Sequence, residues 1–187
     1  MVKVPNFIPK SRPKLGAIAL LLIISSLSVS ACATNTAADG SSPAAPGTAS
    51  TQAALVADLP PEALQVVSYR SPTCGCCEGW VEHMRAAGFQ VEDHVVEDVE
   101  SVKRAHNIPP DLASCHTAIA SGYVVAGHIP AADVSLLLTE KPDVAGIAVP
   151  GMPIGSPGME SGDIQQPYAV YTFTEDGATE VFQDYSL

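Results

Sequence analysis

Three cysteines stand within four consecutive positions, in Thr73-Cys74-Gly75-Cys76-Cys77-Glu78, and the segments on either side limit how that turn can fold. Leu64-Gln65-Val66-Val67-Ser68-Tyr69 is apolar and rich in β-branched residues and is closed by Pro72, the pattern of a strand. Glu78 to Ala87 carries Trp80, Val81 and Met84 at helical spacing from Cys77, and it stops at Gly88, a natural C-cap. The cysteines therefore lie where a strand passes into a helix. Unpaired backbone N–H groups and the positive end of the helix dipole favour thiolate over thiol at such a place. Gly75 is expected to let the backbone turn sharply enough to aim neighbouring sulfurs at one point. A lowered thiolate pKa suits metal binding and disulfide exchange alike, so the turn alone leaves both open.

The rest of the chain supplies the frame for that turn. Phe89 to Val96 alternates, with Val91 and Val95 on the apolar side, as in a half-buried strand. Asp98 to His106 runs from acidic to basic and reads as a short helix matched to its dipole, stopped by Pro109 and Pro110. Ala118 to Val125 reads as a hairpin about Ser121-Gly122, and Ala131 to Thr139 as a helix. Ile147 to Glu160 is dense in Gly and Pro and reads as a loop, and Tyr168 to Thr174 with Glu180 to Tyr185 forms a closing hairpin around Asp176-Gly177. This order predicts an α/β or α+β domain.

The amino end is of another kind. Lys3, Lys10, Arg12 and Lys14 precede an apolar run from Leu15 to Leu27, too short for a permanent membrane helix and suited to a secretory signal. It ends in Val29-Ser30-Ala31-Cys32, the small residues and thiol that a lipoprotein signal peptidase requires. Residues 1–31 are therefore expected to be a signal peptide and Cys32 to be lipidated. Residues 32–58 are mostly Ala, Thr, Ser, Gly and Pro, a flexible tether without an apolar period, and 59–187 is one domain. The chain carries a formal charge of −11, and loss of the four basic residues with the signal makes it more acidic still. Such a chain is repelled by nucleic acid and by anionic lipid surfaces, so nucleic-acid binding is excluded as a function and the acyl chain is the expected membrane anchor. Ala33, in place of an aspartate after the lipidated cysteine, favours the outer membrane, with the domain facing the periplasm.

Apart from Cys32, four cysteines remain: Cys74, Cys76, Cys77 and Cys115. Four thiolates can close a tetrahedral zinc site or bind copper(I), a soft cation that favours thiolate and thioether. His116 directly follows Cys115, and Met152 and Met159 lie in a Gly/Pro-rich loop; imidazole and thioether beside thiolates are more natural around copper than in a structural zinc site. Met84 belongs to the apolar helix face and reads as packing, and His83 as solvated. His94, His106 and His128 read as exposed or hydrogen-bonded structural residues, and the acids from Glu92 to Glu100 as a solvated edge without calcium-loop spacing.

Several ordered motifs carry a family resemblance. Tyr69-Arg70-Ser71-Pro72-Thr73-Cys74-Gly75-Cys76-Cys77, Ser114-Cys115-His116-Thr117, Gly122-Tyr123-Val124-Val125-Ala126-Gly127-His128-Ile129-Pro130 and Val149-Pro150-Gly151-Met152-Pro153 resemble the CopG-like periplasmic copper-resistance family, from about Val66 to Tyr185. The resemblance implies a thioredoxin-like single domain with a C-terminal β-hairpin and copper(I) bound through Cys74, Cys76, Cys77 and Cys115. It also implies a role in handling excess periplasmic copper alongside other copper-handling proteins, with a suspected redox activity toward copper. His116 and Met159 match motif positions and are accessory metal candidates. Ala126 departs from the pattern, since glutamate commonly precedes the Gly-His pair.

Three functions follow from these residues. The leading one is copper(I) binding for resistance or homeostasis, with sulfurs able to bridge several ions. The second is thiol–disulfide exchange, with Cys74 attacking and Cys77 resolving, against which the extra thiol of Cys76 argues. The third is a structural zinc domain, in which folding depends on the metal.

Overall fold

A 3-10 turn at Pro61–Leu64 feeds strand β1 (Gln65–Arg70), on which Val66 and Ser68 point inward and are buried. A computed structural model describes residue 56 and residues 58–186. The segments expected to be a signal peptide (1–31) and most of the expected tether, with Cys32, lie outside the described residues. Val56 and Leu59 already belong to the core.

After the cysteine turn, α1 (Gly75–Ala86) buries Cys77, Trp80, Val81 and Met84 on one face, as their spacing predicts. Gly88, at φ 106, reverses the chain into β2 (Gln90–Val95), which pairs parallel to β1. Val95 is 52% exposed, contrary to the alternation read for this segment. It sits opposite Arg70 at the last rung of the outermost strand, where a neighbour shields it on one side only. Next, α2 (Val99–Ala105) starts at Asp98, whose carboxylate accepts from the Ser101 N–H at 2.9 Å, a standard N-cap.

Strands β3 (Thr117–Ala120) and β4 (Tyr123–Ala126) form the expected hairpin. Both turn residues, Ser121 (φ 49) and Gly122 (φ 91), are left-handed, the geometry that matches the twist of a two-residue hairpin. Helix α3 (Ala131–Glu140) follows. The segment expected to be loop from Ile147 begins with a strand, β5 (Gly146–Ala148), parallel to β4. A Cβ on Gly146 would stand 2.1 Å from the Val124 carbonyl oxygen, so only glycine permits this pairing. The closing hairpin is β6 (Tyr168–Phe173) and β7 (Thr179–Tyr185).

The seven strands form one mixed sheet in the order β2-β1-β3-β4-β5-β6-β7. The domain is thus α/β, with both sheet faces covered. Val125, Ile147 and Val170 join Trp80, Met84, Leu137 and Leu138 on one face, while Val124, Ala126, Ala148 and Phe173 pack with Leu112 on the other. Burial on both faces explains why β4 reads as a continuous apolar run. Among the described residues no helix is long and apolar enough to cross a membrane.

Candidate metal centre

The cysteine turn leaves β1 at Arg70 and enters α1 with Cys74 as its N-cap residue. No side chain caps this helix start, so its first N–H groups remain available to stabilise negative charge on nearby sulfur. Gly75 is already helical, and a Cβ there would meet open space. The sharp turn expected of it is not made at that residue. The aim of the sulfurs comes instead from the helical step that places Cys76 and Cys77 in the first turn.

Cys115 arrives at the same end of the sheet, in the loop before β3, whose first residue Thr117 pairs with Tyr69 near the end of β1. Two contacts lock that loop: the Ser114 hydroxyl donates to the Gly151 carbonyl, and the Gly151 N–H donates to the Ala113 carbonyl at 3.1 Å. The result is one cluster. The sulfurs of Cys74, Cys76, Cys77 and Cys115 all lie within 4.8 Å of one another. Cys74 and Cys77 are joined in a disulfide, with Cα atoms 5.3 Å apart, and Cys76 and Cys115 are free. Cys76 Sγ is 3.4 Å from Cys74 Sγ, and Cys115 Sγ is 3.3 Å from Cys77 Sγ. Cys77 is buried, while the other three are half-buried. Burial, reinforced by the neighbouring Cys76, pushes the Cys115 thiol up to about 11.

Two imidazoles complete the surroundings. His128 is fully buried, and its Nδ1 is 2.8 Å from the Pro157 carbonyl oxygen. A carbonyl only accepts, so Nδ1 carries the proton and Nε2 presents its lone pair to Cys115 Sγ at 3.0 Å. His116 Nδ1 lies 3.5 Å from the same sulfur, and its ring packs on Trp80 (4.5 Å between centroids) and edge-on against His128 (5.0 Å). His116 Nε2 is buried without a hydrogen-bond partner. Burial, helped by His128, pulls the His116 pKa down to about 3, and burial also lowers that of His128. Both rings are therefore neutral at pH 7 and can donate lone pairs.

His128 is hydrogen-bonded, one of the two states read for it from the sequence, but it also stands within 4.8 Å of Cys115 and His116, a grouping that reading does not anticipate. The signal was present in the hairpin: Thr117 faces Ala126, and continuing that register by two residues sets Cys115 opposite His128. His83 departs from its reading as solvated. It is half-buried, its Nε2 accepts from the Ala131 N–H at 3.0 Å, and burial lowers its pKa. Trp80 Nε1 donates to the Ile129 carbonyl at 2.9 Å, so two residues of α1 hold the segment that carries His128. His94 is half-buried and hydrogen-bonded to Glu92 at 2.7 Å, within the reading given for it, and Met84 is buried packing.

The Gly/Pro-rich loop closes the site from above α1. A Cβ on Gly158 would stand 2.5 Å from the Cys76 carbonyl oxygen and 2.6 Å from the Trp80 nitrogen. The loop main chain thus rests directly on the first turn of the cysteine helix. Met159 is the next residue and is half-buried, whereas Met152 is 51% exposed.

Comparison with known proteins agrees with this arrangement. A family model described as a protein of unknown function, DUF411, matches residues 112–159, which include Cys115, both imidazoles and the closing loop. Two solved structures, named copper resistance protein copG, Form 1 and Form 2, are each 46% identical to this chain. Each aligns with a TM-score of 0.63 over 98% of its own length, covering 65% of this chain for Form 2 and 66% for Form 1. No match is found among curated proteins.

Proposed function

The chain belongs to the CopG-like copper-resistance family, and from that premise we propose that it binds copper(I) through Cys74, Cys76, Cys77 and Cys115 to limit copper toxicity outside the cytoplasm. The observation that carries this reading is the convergence of four sulfurs within 4.8 Å, drawn from a helix start and a distant loop. Thiolate is the donor that copper(I), a soft ion, prefers, and sulfur readily bridges, so the cluster suits more than one ion. Thioether sulfur from Met159, beside Gly158 on the cysteine helix, and imidazole from His116 would be accessory donors.

Loading all four sulfurs requires an external dithiol to open the Cys74–Cys77 disulfide by exchange, the dithiol giving up two electrons and two protons as it closes to its own disulfide and leaving Cys74 and Cys77 as thiols. Metal capacity is thereby tied to thiol redox state. Fold plan supports the same family reading. The run β1-α1-β2-α2-β3-β4-α3, with order β2-β1-β3-β4 and β3 opposed to the other three, fits a thioredoxin-like core. Strands β5 to β7 then extend it beyond β4. A lipoprotein signal ending at Cys32 supports periplasmic placement on a lipid anchor, in the outer membrane.

The Cys74–Cys77 disulfide favours one second reading, thiol–disulfide exchange, since Cys74 is the half-buried sulfur at the helix start and Cys77 the buried one. Replacing Cys76 with Ser separates the two. Copper binding predicts a sharp drop in copper(I) bound per chain, measured by anaerobic dialysis against a copper(I) chelator, with the fold intact by circular dichroism. Unchanged copper stoichiometry, with insulin reduction lost only on replacing Cys74 or Cys77, would favour disulfide exchange.

A further inference from the structure

Closing the Cys74–Cys77 disulfide removes two thiolates, yet it leaves a second set of donors facing one another. Cys115 Sγ, His116 and His128 offer ligand atoms that all lie within 4.8 Å, and Cys76 Sγ lies within 4.8 Å of Cys115 Sγ on its other side. We propose that these four residues, centred on Cys115 and His128, form a mixed sulfur–imidazole site for a borderline divalent cation such as zinc, available while Cys74 and Cys77 are joined. The proposal rests on reading this cluster as a metal centre, and deepens it by adding a second metal class and a second redox state.

Geometry supports the pairing at its core. In a tetrahedral zinc site, metal–sulfur and metal–nitrogen bonds of about 2.3 and 2.0 Å put sulfur and nitrogen roughly 3.5 Å apart. The contacts from Cys115 Sγ are 3.0 Å to His128 Nε2 and 3.5 Å to His116 Nδ1. Both sulfur–nitrogen pairs about Cys115 are therefore already within roughly a few tenths of an ångström of the separation such an ion requires. His128 also has the outer contact that metal-bound histidines characteristically have: its far nitrogen donates to a main-chain carbonyl, here Pro157, which fixes the tautomer and turns the lone pair inward. Trp80 and His83 hold the segment behind it, so the ring is oriented before any ion arrives.

Donor chemistry decides the class of ion. Two thiolates cancel the charge of a divalent ion in a largely buried site, and imidazole suits borderline ions better than the softest ones. Hard cations are excluded, because the set offers no carboxylate. Three or four sulfurs serve copper(I) in the reduced chain. Two sulfurs with imidazole serve zinc in the oxidised one.

Cobalt(II) is the test probe, since it takes zinc sites and reports tetrahedral sulfur ligation by its colour. The full chain is oxidised until mass mapping of alkylated peptides shows Cys74–Cys77 closed, then titrated with cobalt(II) and back-titrated with zinc. The expected result is one cobalt per chain, with intense visible bands and a sulfur-to-cobalt charge-transfer band, both erased by zinc. His128→Ala should weaken cobalt binding by about tenfold or more, and Cys115→Ser, a near-isosteric change that leaves only the Cys76 thiolate, should cut the charge-transfer band to about half or less while circular dichroism stays native. Absence of the bands in the oxidised wild-type chain, or equal affinity in His128→Ala, would overturn the mixed site. Copper(I) uptake by the reduced wild-type chain is measured separately. Uptake there with cobalt refused by the oxidised chain sinks the mixed site alone. Cobalt bound with copper(I) refused supports the mixed site and sinks the four-thiolate reading.

Discussion

Replacing Gly158 with Ala tests whether the Gly/Pro-rich loop is part of the metal centre or merely passes over it. Gly158 has φ 81, a left-handed conformation. A side chain there costs about 1–2 kcal/mol in backbone energy alone. The added methyl carbon would also stand 2.5 Å from the Cys76 carbonyl oxygen and 2.6 Å from the Trp80 nitrogen. Both are main-chain atoms of the first turns of α1 and cannot swing aside as a flexible side chain would. Forcing an extra methyl into a packed contact costs about 1–3 kcal/mol. The sum is about 3 kcal/mol, which lowers Tm by roughly 10 °C in a domain of this size. Relief comes most cheaply by lifting the loop from the cysteine helix, so Cys76 should also react faster with a thiol reagent. Thermal unfolding and thiol labelling under native conditions measure the two effects. A Tm within a few degrees of wild type, with unchanged labelling, would refute the close approach on which the closure of the site depends.

Other consequences follow from single contacts. Burial raises the Asp133 pKa to about 6, although Tyr185 donates a hydrogen bond to its carboxylate at 2.9 Å. Because the folded value lies above the unfolded one, this group favours the fold at low pH, and its contribution is lost as pH rises from about 4 through 6. Asp133→Asn should flatten that part of the urea-midpoint profile, and an identical slope in the variant would contradict it. His83→Ala leaves the Ala131 N–H at the start of α3 without its acceptor and should cost about 1 kcal/mol. Conservative rescue by Gln, which retains an acceptor, distinguishes this from loss of packing, and equal loss in both variants would count against the capping role. Gly127→Ala should be still more damaging to Cys115, because a Cβ there would meet the Ser114 side chain at 2.5 Å and the Val149 carbonyl oxygen at 2.6 Å, with φ at 85. Folding yield and the rate of Cys115 labelling measure it, and a native-like variant would overturn the claim that this corner is packed to its limit.

Much of the site was legible because local signals agree with one another. An apolar β-branched run, a proline, a cysteine turn and a helix with one apolar face leave few other ways to arrange Cys74, Cys76 and Cys77. The two hairpins were equally plain, since Ser121-Gly122 and Asp176-Gly177 are turn chemistry between apolar strands. What escaped was set at longer range. Strand β5 exists because Gly146 admits the Val124 carbonyl, a contact that no local propensity encodes. Val95 alternates correctly but lies at the last rung of an outermost strand, so its period does not bury it. His83 finds its partner in Ala131 only when two helices pack. The nearness of His128 to Cys115 is written in the hairpin register, which sets the two opposite each other, and not in any signal local to the histidine. Gly75 erred the other way: glycine beside cysteine invites a conformational explanation that a helical residue with open space around it does not need.

The central claim is that the sulfurs of Cys74, Cys76, Cys77 and Cys115 together hold copper(I). X-ray absorption at the copper edge measures it most directly, on the reduced chain loaded anaerobically with copper(I) in the presence of competing zinc. The account predicts a copper(I) edge, a first shell dominated by sulfur and a copper–copper contribution from bridged ions at more than one copper per chain. Zinc retained against copper, or copper ringed chiefly by nitrogen and oxygen, would contradict it.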